Sequence, residues 1–501
     1  MPAETTRDRI GAAPANAGPV IAPERRVLIF IAALAAAFIT QIESTIVATA
    51  MPTIVGEIGG FALLSWVFTV YLLTQAVTTP IYGRLADLYG RKPLLLVGIG
   101  LFISASILCG FAWNMPSLIA FRAIQGLGAG ALSPVSRTLI GDIYHGAARA
   151  RMQGYVSAVF IGAALLGPVV GAFLVAHTIW QMVFWINIPL GVIAGAILIL
   201  AFQERFERRP GRIDVTGAVL LAAGSFVLLF ALAQSAALPL AWFALLLALA
   251  VVVLVGFGLY ERSVSEPIWP MYLWRDRVAT SGNLVSFTIG ATIMGVTAYL
   301  PVFIQGVMGQ SAMTAGLAIM SMSATSPLGA VAAGQISLRS SYRVTASIGG
   351  VFFIIGTVMM TVLGATSGPG WVIASGFMIG LGLGFSNNTY MVAIQAESGW
   401  STRGIATGAF IFSRIFGQAI GAAAFGGILN LGLSRYLQGE GDLLARILTP
   451  EQRASLPAET LAPLMQEFSH ALHIVFVILV ALAVASLAIG YRLPKGRGIR
   501  R

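Results

Sequence analysis

Apolar runs of twenty residues or more recur along nearly the whole of this 501-residue chain. Each is long enough, as a helix rising 1.5 Å per residue, to cross about 30 Å of hydrocarbon. No other feature constrains the fold as strongly. A soluble chain of this length carries about 25% charged residues; this one carries 10%, with 57% hydrophobic residues and a mean hydropathy of +0.87. The sequence predicts an all-α integral membrane protein.

Fourteen spans are expected. Helices 1–6 lie near 27–50, 62–82, 93–112, 117–139, 153–175 and 182–203, and helices 7 and 8 near 215–236 and 239–260. Helices 9–14 lie near 281–305, 312–334, 344–366, 370–395, 405–432 and 469–491. The first run is too long for a signal-peptide core and reads as a retained span. An even count puts both termini on one side, and the basic residues say which. With the termini cytoplasmic, all but five of the 30 Lys and Arg fall in cytoplasmic segments. The exceptions are Arg122 and Arg414, inside helices, and Arg435, Arg446 and Arg453, in one long external loop, 433–468. The net charge of +11 is thus positive-inside bias rather than a nucleic-acid footprint. A bacterial-type inner membrane is the expected location. All nine Trp fall in loops or near helix ends, as interfacial anchors do. Loop 433–468 carries a stripe of Leu443, Leu444, Ile447 and Leu448, which fits either a short membrane-surface helix or a solvated loop.

Cys109 is the only cysteine, so no intrachain disulfide and no thiolate metal site is expected. His145, His177, His470 and His473 form no metal cluster by spacing; His470 and His473 read as an interfacial pair. No cofactor is implied. A membrane enzyme would need paired acids, a His cluster or a nucleophile with its base at membrane depth, and the sequence offers none.

Landmarks recur at an offset near 250 residues. Pro52 answers to Pro301 and Gly83 to Gly334. Gly126, Gly128 and Gly130 in helix 4 answer to Gly380, Gly382 and Gly384 in helix 12, and Gly154, Gly167 and Gly171 in helix 5 to Gly404, Gly417 and Gly421 in helix 13. The repeat pairs helices 1–6 with helices 9–14 and leaves helices 7 and 8 as an inserted hairpin. The expected organisation is an N-terminal tail (1–26), a six-helix bundle (27–203), the hairpin with its loops (204–278), a second six-helix bundle (279–491) and a C-terminal tail (492–501). Two parallel repeats imply a rocker-type transporter with its site between them.

The segment between helices 2 and 3 reads Gly83-Arg84-Leu85-Ala86-Asp87-Leu88-Tyr89-Gly90-Arg91-Lys92-Pro93, a tight charged turn in which glycines are expected. It resembles the loop 2–3 signature of the major facilitator superfamily. Arg122-x-x-Gln125-Gly126-x-Gly128 resembles that superfamily's helix-4 motif, and Gly162-x4-Gly167-Pro168-x-x-Gly171 its antiporter motif. Glu43-Ser44-Thr45-Ile46-Val47-Ala48-Thr49-Ala50-Met51-Pro52 is similar to a drug-exporter pattern, with Glu in place of Asp. Trp180 to Pro189 and Glu266 to Pro270 resemble stretches of the 14-helix, EmrB/QacA-like drug:proton antiporters. The resemblance implies two six-helix bundles with alternating access and export of small molecules against protons. It also implies a cytoplasmic latch built from Gly83, Asp87, Gly90, Arg91, Lys92 and Asp142. In it Asp87 caps helix 13 and Arg91 pairs with Asp142. The matching second-half segment, Gly334 to Arg343, has no acid, so a single latch is expected.

Glu43 is the one acid expected deep inside a span, and a carboxyl there marks a functional site. With Arg122 and Gln125 at comparable depth it forms the expected proton-coupling cluster. Gln41, Thr45, Asn387, Asn388, Arg414 and Gln418 are candidates to line the cavity, with Asn283 and Gln395 as further polar residues at depth. Arg414 has no acid near it in sequence and needs a partner or an anionic ligand. The expected partners are a small-molecule substrate, protons and the bilayer, with nothing that identifies a periplasmic or outer-membrane protein. Amphipathic cations are the first expected cargo. A single natural product, siderophore or lipid, an anionic one included, is the alternative.

Overall fold

A computed structural model of the chain describes residues 23–493 except 145, 205–213, 265–266, 268, 270, 399–402, 438–442 and 449. Among these residues it contains 14 helices long and apolar enough to cross a membrane. Helices suit this solvent because every backbone polar group is satisfied within the segment. Helices 1–5 run Pro23–Ile58, Leu64–Tyr89, Arg91–Gly110, Met115–Ile143 and Gly146–His177. Helix 6 spans Met182–Ala201, and helices 7 and 8 run Val215–Ala233 and Leu240–Tyr260. Helix 9 spans Arg277–Val307. Helices 10–14 run Ala312–Arg339, Tyr342–Thr361, Pro369–Glu397, Arg403–Gly432 and Ala458–Gly490.

The internal repeat is visible in atomic contacts. A Cβ on Gly126 would meet Tyr71 O and Thr74 Oγ1; one on Gly380 would meet Met322 O and Thr325 Oγ1. Gly128 lies against Gly98 O and Phe102 N, and Gly382 against Gly349 O and Phe353 N. Each partner pair is offset by 251 residues. The glycines therefore let helices 4 and 12 sit directly on the backbones of their neighbours, as small-residue faces do in membranes. Helix 7 packs on helix 13, where Gly427 meets Leu232 O.

Four sequence expectations change. The charged segment at 83–93 is not an eleven-residue loop: helix 2 runs through Gly83 and Asp87 to Tyr89, and helix 3 starts at Arg91. Gly90 alone makes the turn, with φ +97, a value L side chains rarely adopt. Gly83 is helical and has open space where a Cβ would stand. Helix 6 is in two pieces, Met182–Trp185 and Asn187–Ala201, and helix 9 contains two π-helical turns, Gly295–Tyr299 and Phe303–Val307. Helix 14 begins at Ala458, not 469, because the polar stretch before the apolar run is helical too.

The Leu/Ile stripe of 443–448 is neither a membrane-surface helix nor a solvated loop. Leu444, Ile447 and Leu448 are buried in protein, and Leu448 reaches Gly306 in helix 9. Trp66, Trp180 and Trp269 are buried and act in packing, whereas Trp113, Trp242, Trp274 and Trp371 are exposed as anchors would be.

Candidate functional site

Five helices of the first bundle converge on Glu43. Helix 1 carries the carboxylate and helix 4 carries Arg122 and Gln125, one turn apart on one face. Glu43 is 0% exposed and Arg122 1%. Arg122 Nη1 donates to Glu43 Oε1 at 2.6 Å and to Gln125 Oε1 at 2.6 Å. Its Nε donates to Val67 O at 3.3 Å, and the guanidinium lies 4.1 Å from the Tyr71 ring centroid. Gln125 Nε2 donates to Ser106 Oγ at 2.9 Å.

Asn187, which the sequence reading passed over, donates from Nδ2 to the second carboxylate oxygen of Glu43. It is the first residue after the break in helix 6, and that break delivers its side chain to the pair. Both carboxylate oxygens are thus occupied. Two buried atoms beside them, Tyr71 Oη and Asn187 Oδ1, have no hydrogen-bond partner among the described residues. Hydrogen bonds to a buried charge are worth about 1.5–3 kcal/mol each. Losing one partner of such a pair costs about 3–5 kcal/mol unless the other changes its charge.

At the Gly90 turn, Arg91 Nε donates to Asp142 Oδ2 at 3.1 Å, and its Nη2 lies 2.7 Å from Asp87 Oδ1. Arg91 also donates to Ala86 O. Asp87 therefore pairs with Arg91 in this conformation. The cap it was expected to place on helix 13 involves the approach to that helix, 399–402, which lies outside the described residues. The turn has a second anchor that the sequence did not reveal. Glu204, just past helix 6, accepts the backbone N–H groups of Arg91 (2.7 Å) and Lys92 (2.8 Å). Lys92 Nζ in turn donates to Ile199 O (3.1 Å) and Phe202 O at the end of helix 6. Arg343, 251 residues later, donates to Leu493 O at the end of helix 14 (2.9 and 2.6 Å). The second half keeps the basic cap and lacks the acids.

The antiporter-motif residues face different neighbours. Gly167 lies against Thr45 Oγ1 and Ile42 O, and Gly171 against Thr49 Oγ1 and Ile46 O, so both seat helix 5 on helix 1. Pro168 O takes Gly316 of helix 10 across the bundle boundary. Gly162 meets no side chain and lines a groove with Phe30, Leu34, Phe38, Tyr155, Ala158 and Val159. Thr45 is consequently a packing residue, buried against Gly167 and donating to Ile42 O, not a cavity wall. Gln41 is half-buried. Asn388 is tied to Ala330 O at 3.0 Å, while the buried Oδ1 of Asn387 has no partner among the described residues. Gln395 donates to Thr407 Oγ1 at 3.4 Å. Arg414 and Gln418 are half-buried on helix 13, and Arg414 has no hydrogen bond or ion pair among the described residues. His473 bridges Ser469 O and Leu363 O, and no group of three metal-ligating side chains occurs among the described residues.

The two bundles meet on the face opposite the Gly90 turn. There Asn430 Nδ2 donates to Ala62 O (2.8 Å), Gln305 Nε2 to Thr49 O (3.4 Å), and Gly426 sits on the Ser65 side chain. The Phe61 and Phe468 rings pack edge-on at 5.6 Å. On the Gly90 face, a Cβ on Gly83, Gly154 or Gly408 would meet open space.

Residues 33–422 match the Major Facilitator Superfamily. The chain is 33% identical to the multidrug transporter protein MdtP of Bacillus subtilis over 441 residues, 87% of this chain and 80% of that protein. It is also 33% identical to multidrug resistance protein 3 of the same organism, over 77% of this chain and 76% of that one. A solved bacterial homologue of the human lysosomal transporter Spinster, in an inward-facing and unoccupied conformation, superposes with a TM-score of 0.69 at 14% identity. It covers 94% of this chain and 98% of its own. A solved peptide transporter gives 0.63 at 17% identity, over 94% and 96%. This chain is a multi-pass membrane transporter of small molecules and belongs to the Major Facilitator Superfamily.

Proposed function

We propose that the protein is a proton-coupled exporter of amphipathic small molecules, working by alternating access between two six-helix bundles with helices 7 and 8 as an inserted hairpin. The Gly90 face is cytoplasmic, both termini lie on that side, and the membrane is the bacterial plasma membrane. The names of the relatives support multidrug export.

One observation carries the coupling: the Glu43–Arg122 pair, buried and bonded at every oxygen of the carboxylate. Glu43 can leave this arrangement at low cost only by taking a proton. Arg122 then keeps Gln125, Val67 O and the Tyr71 ring but loses its counter-charge. Protonation is in this way tied to a rearrangement of helices 1, 4 and 6. The seal on the face opposite Gly90 corresponds to the inward-facing, cargo-loading state. In the alternate state Asp87, Arg91 and Asp142 latch the cytoplasmic face. In proteoliposomes, Glu43→Gln keeps exchange of cargo for cargo and loses the response to an imposed pH gradient. A mutant that still follows the gradient overturns the assignment.

For the cargo, an acidic coupling residue suggests an amphipathic cation drawn to ionised Glu43. The second reading, a dedicated exporter of one natural product, siderophore or lipid with an acidic group, is favoured by Arg414, a half-buried cation without a counter-ion among the described residues.

A further inference from the structure

We propose that Asn187 is a positioning residue that keeps Glu43 hydrogen-bonded in both of its protonation states, its side-chain amide turning over when the carboxyl takes a proton. This rests on the proton-coupled reading above and adds the group that receives the hydrogen bond of the transported proton.

Both oxygens of ionised Glu43 can only accept hydrogen bonds. Arg122 Nη1 stands 2.6 Å from Oε1, and Asn187 faces Oε2, so the atom that Asn187 presents is its amide nitrogen. A guanidinium has no acceptor, and a proton on Oε1 would meet only N–H groups. The incoming proton therefore belongs on Oε2. There it turns an acceptor into a donor, which confronts the N–H of Asn187. The same amide also carries the acceptor that is needed. Asn187 Oδ1 is buried and has no hydrogen-bond partner among the described residues, and the side chain is 0% exposed. Its bond to Glu43 is what fixes the present orientation of the amide. A half-turn about the terminal torsion, which is broad and two-fold for Asn, exchanges Nδ2 for Oδ1 at the carboxyl. The Oε2–H group then donates to Oδ1. A buried acceptor that is unsatisfied beside the ionised carboxylate is satisfied beside the neutral one.

The surroundings leave this role to Asn187. Gln125 has both amide atoms engaged, by Arg122 and by Ser106. Helix 2 brings Tyr71, whose ring lies on the guanidinium, and helix 3 brings Cys109, which donates to Gln125 Oε1 at 3.9 Å. Helix 5 meets this part of helix 1 with Gly167. The only other buried acid among the described residues, Glu261, is at the end of helix 8. Pro189 has no N–H to offer Trp185 O, and helix 6 breaks between Trp185 and Asn187, where the amide is placed. Neutral Glu43 stays tied to helix 6 through Asn187, while Arg122 loses its counter-charge. Protonation thus loosens helix 4 from helix 1 and leaves helices 1 and 6 joined.

Infrared difference spectroscopy between about pH 5 and about pH 9 tests this on full-length protein in phosphatidylcholine nanodiscs, with and without isotope-labelled asparagine. No cargo is added. The wild type gains a protonated-carboxyl band at low pH that is absent in Glu43→Gln. With it comes a change in an asparagine amide band, identified by its isotope shift and absent in both Glu43→Gln and Asn187→Leu. Asn187→Leu keeps the size of the side chain and removes both polar atoms. Its carboxyl band lies at higher frequency, as for a carboxyl that has lost its acceptor. The midpoint of that band moves up by about one pH unit, because a hydrogen bond to the ionised form is stronger than one to the neutral form. In Asn187→Asp two adjacent carboxyls share a proton and the midpoint moves further up. Retained protection of Cys109 from a thiol reagent shows that each variant is folded. A Glu43 band with no asparagine change overturns the proposal, and that comparison needs only wild type and Glu43→Gln. An asparagine change that survives in Glu43→Gln or in folded Asn187→Leu overturns it as well. The absence of any Glu43 band refutes the coupling reading itself, and the proposal with it.

Discussion

Replacing Arg122 by Gln isolates the electrostatic logic of the cluster. The substitution leaves Glu43 buried, with Asn187 as its remaining donor. An uncompensated buried charge costs about 3–5 kcal/mol. The carboxyl has an escape, because it can take a proton. Starting from an ordinary value near 4.3, neutralising it at pH 7 costs about 4 kcal/mol, which caps the loss. The cap depends on pH. The folded variant holds a proton that the unfolded chain has released, so its stability falls as pH rises, by about 1.4 kcal/mol per unit at most. Arg122→Gln is therefore close to wild type near pH 5 and clearly weaker near pH 8. Glu43→Gln keeps an amide oxygen in place for Arg122 but removes its counter-charge, so its loss of about 3–5 kcal/mol is flat across the same range because a guanidinium does not titrate there. The double variant recovers part of the loss of Arg122→Gln at pH 8. The assay is built into the chain: Cys109 is the only cysteine and is fully buried, so a thiol-reactive fluorogenic dye reports unfolding on heating in detergent. A loss for Arg122→Gln that is equal at both pH values refutes the reasoning.

Packing and the turn give three further outcomes. Gly126→Ala puts a Cβ 2.4 Å from Tyr71 O, backbone that cannot move aside, and lowers stability by about 1–3 kcal/mol; Gly83→Ala, helical with open space around it, leaves the same melting curve unchanged or raised by up to about 1 kcal/mol. Glu204→Ala removes the acceptor for the Arg91 and Lys92 N–H groups and costs about 1 kcal/mol, read as faster amide exchange confined to the start of helix 3.

The spans were legible because length and apolarity are local properties: each of the fourteen expected runs overlaps a long helix, although helix 2 continues past its apolar run to Tyr89 and helix 14 starts earlier, at Ala458. Glu43 and Arg122 were legible for a related reason: a charge inside an apolar run announces itself. Asn187 did not, since an Asn near a helix end is unremarkable until the break in helix 6 turns it toward Glu43. Glu204 looked like one more charge in a cytoplasmic loop, and its role depends on helix 6 ending beside the Gly90 turn. Thr45 was misread because a hydroxyl on helix 1 fits a cavity wall as well as a close contact, and only Gly167 opposite decides between them. Any one glycine match is a weak signal, and the ordered set at matched helix positions is a fair one. In three dimensions, Tyr71 and Met322, and Phe102 and Phe353, turn out to be equivalent partners.

The most direct test of the coupling claim is cargo-driven proton release from purified protein in weakly buffered proteoliposomes, with Glu43→Gln beside wild type. A fluorescent amphipathic cation and an amphipathic anion of the same apolar body serve as cargo. The account predicts a pH change on adding one of them to wild type and none in Glu43→Gln, while the mutant still binds the probe. An equal pH change in both proteins contradicts it and moves the coupling away from Glu43.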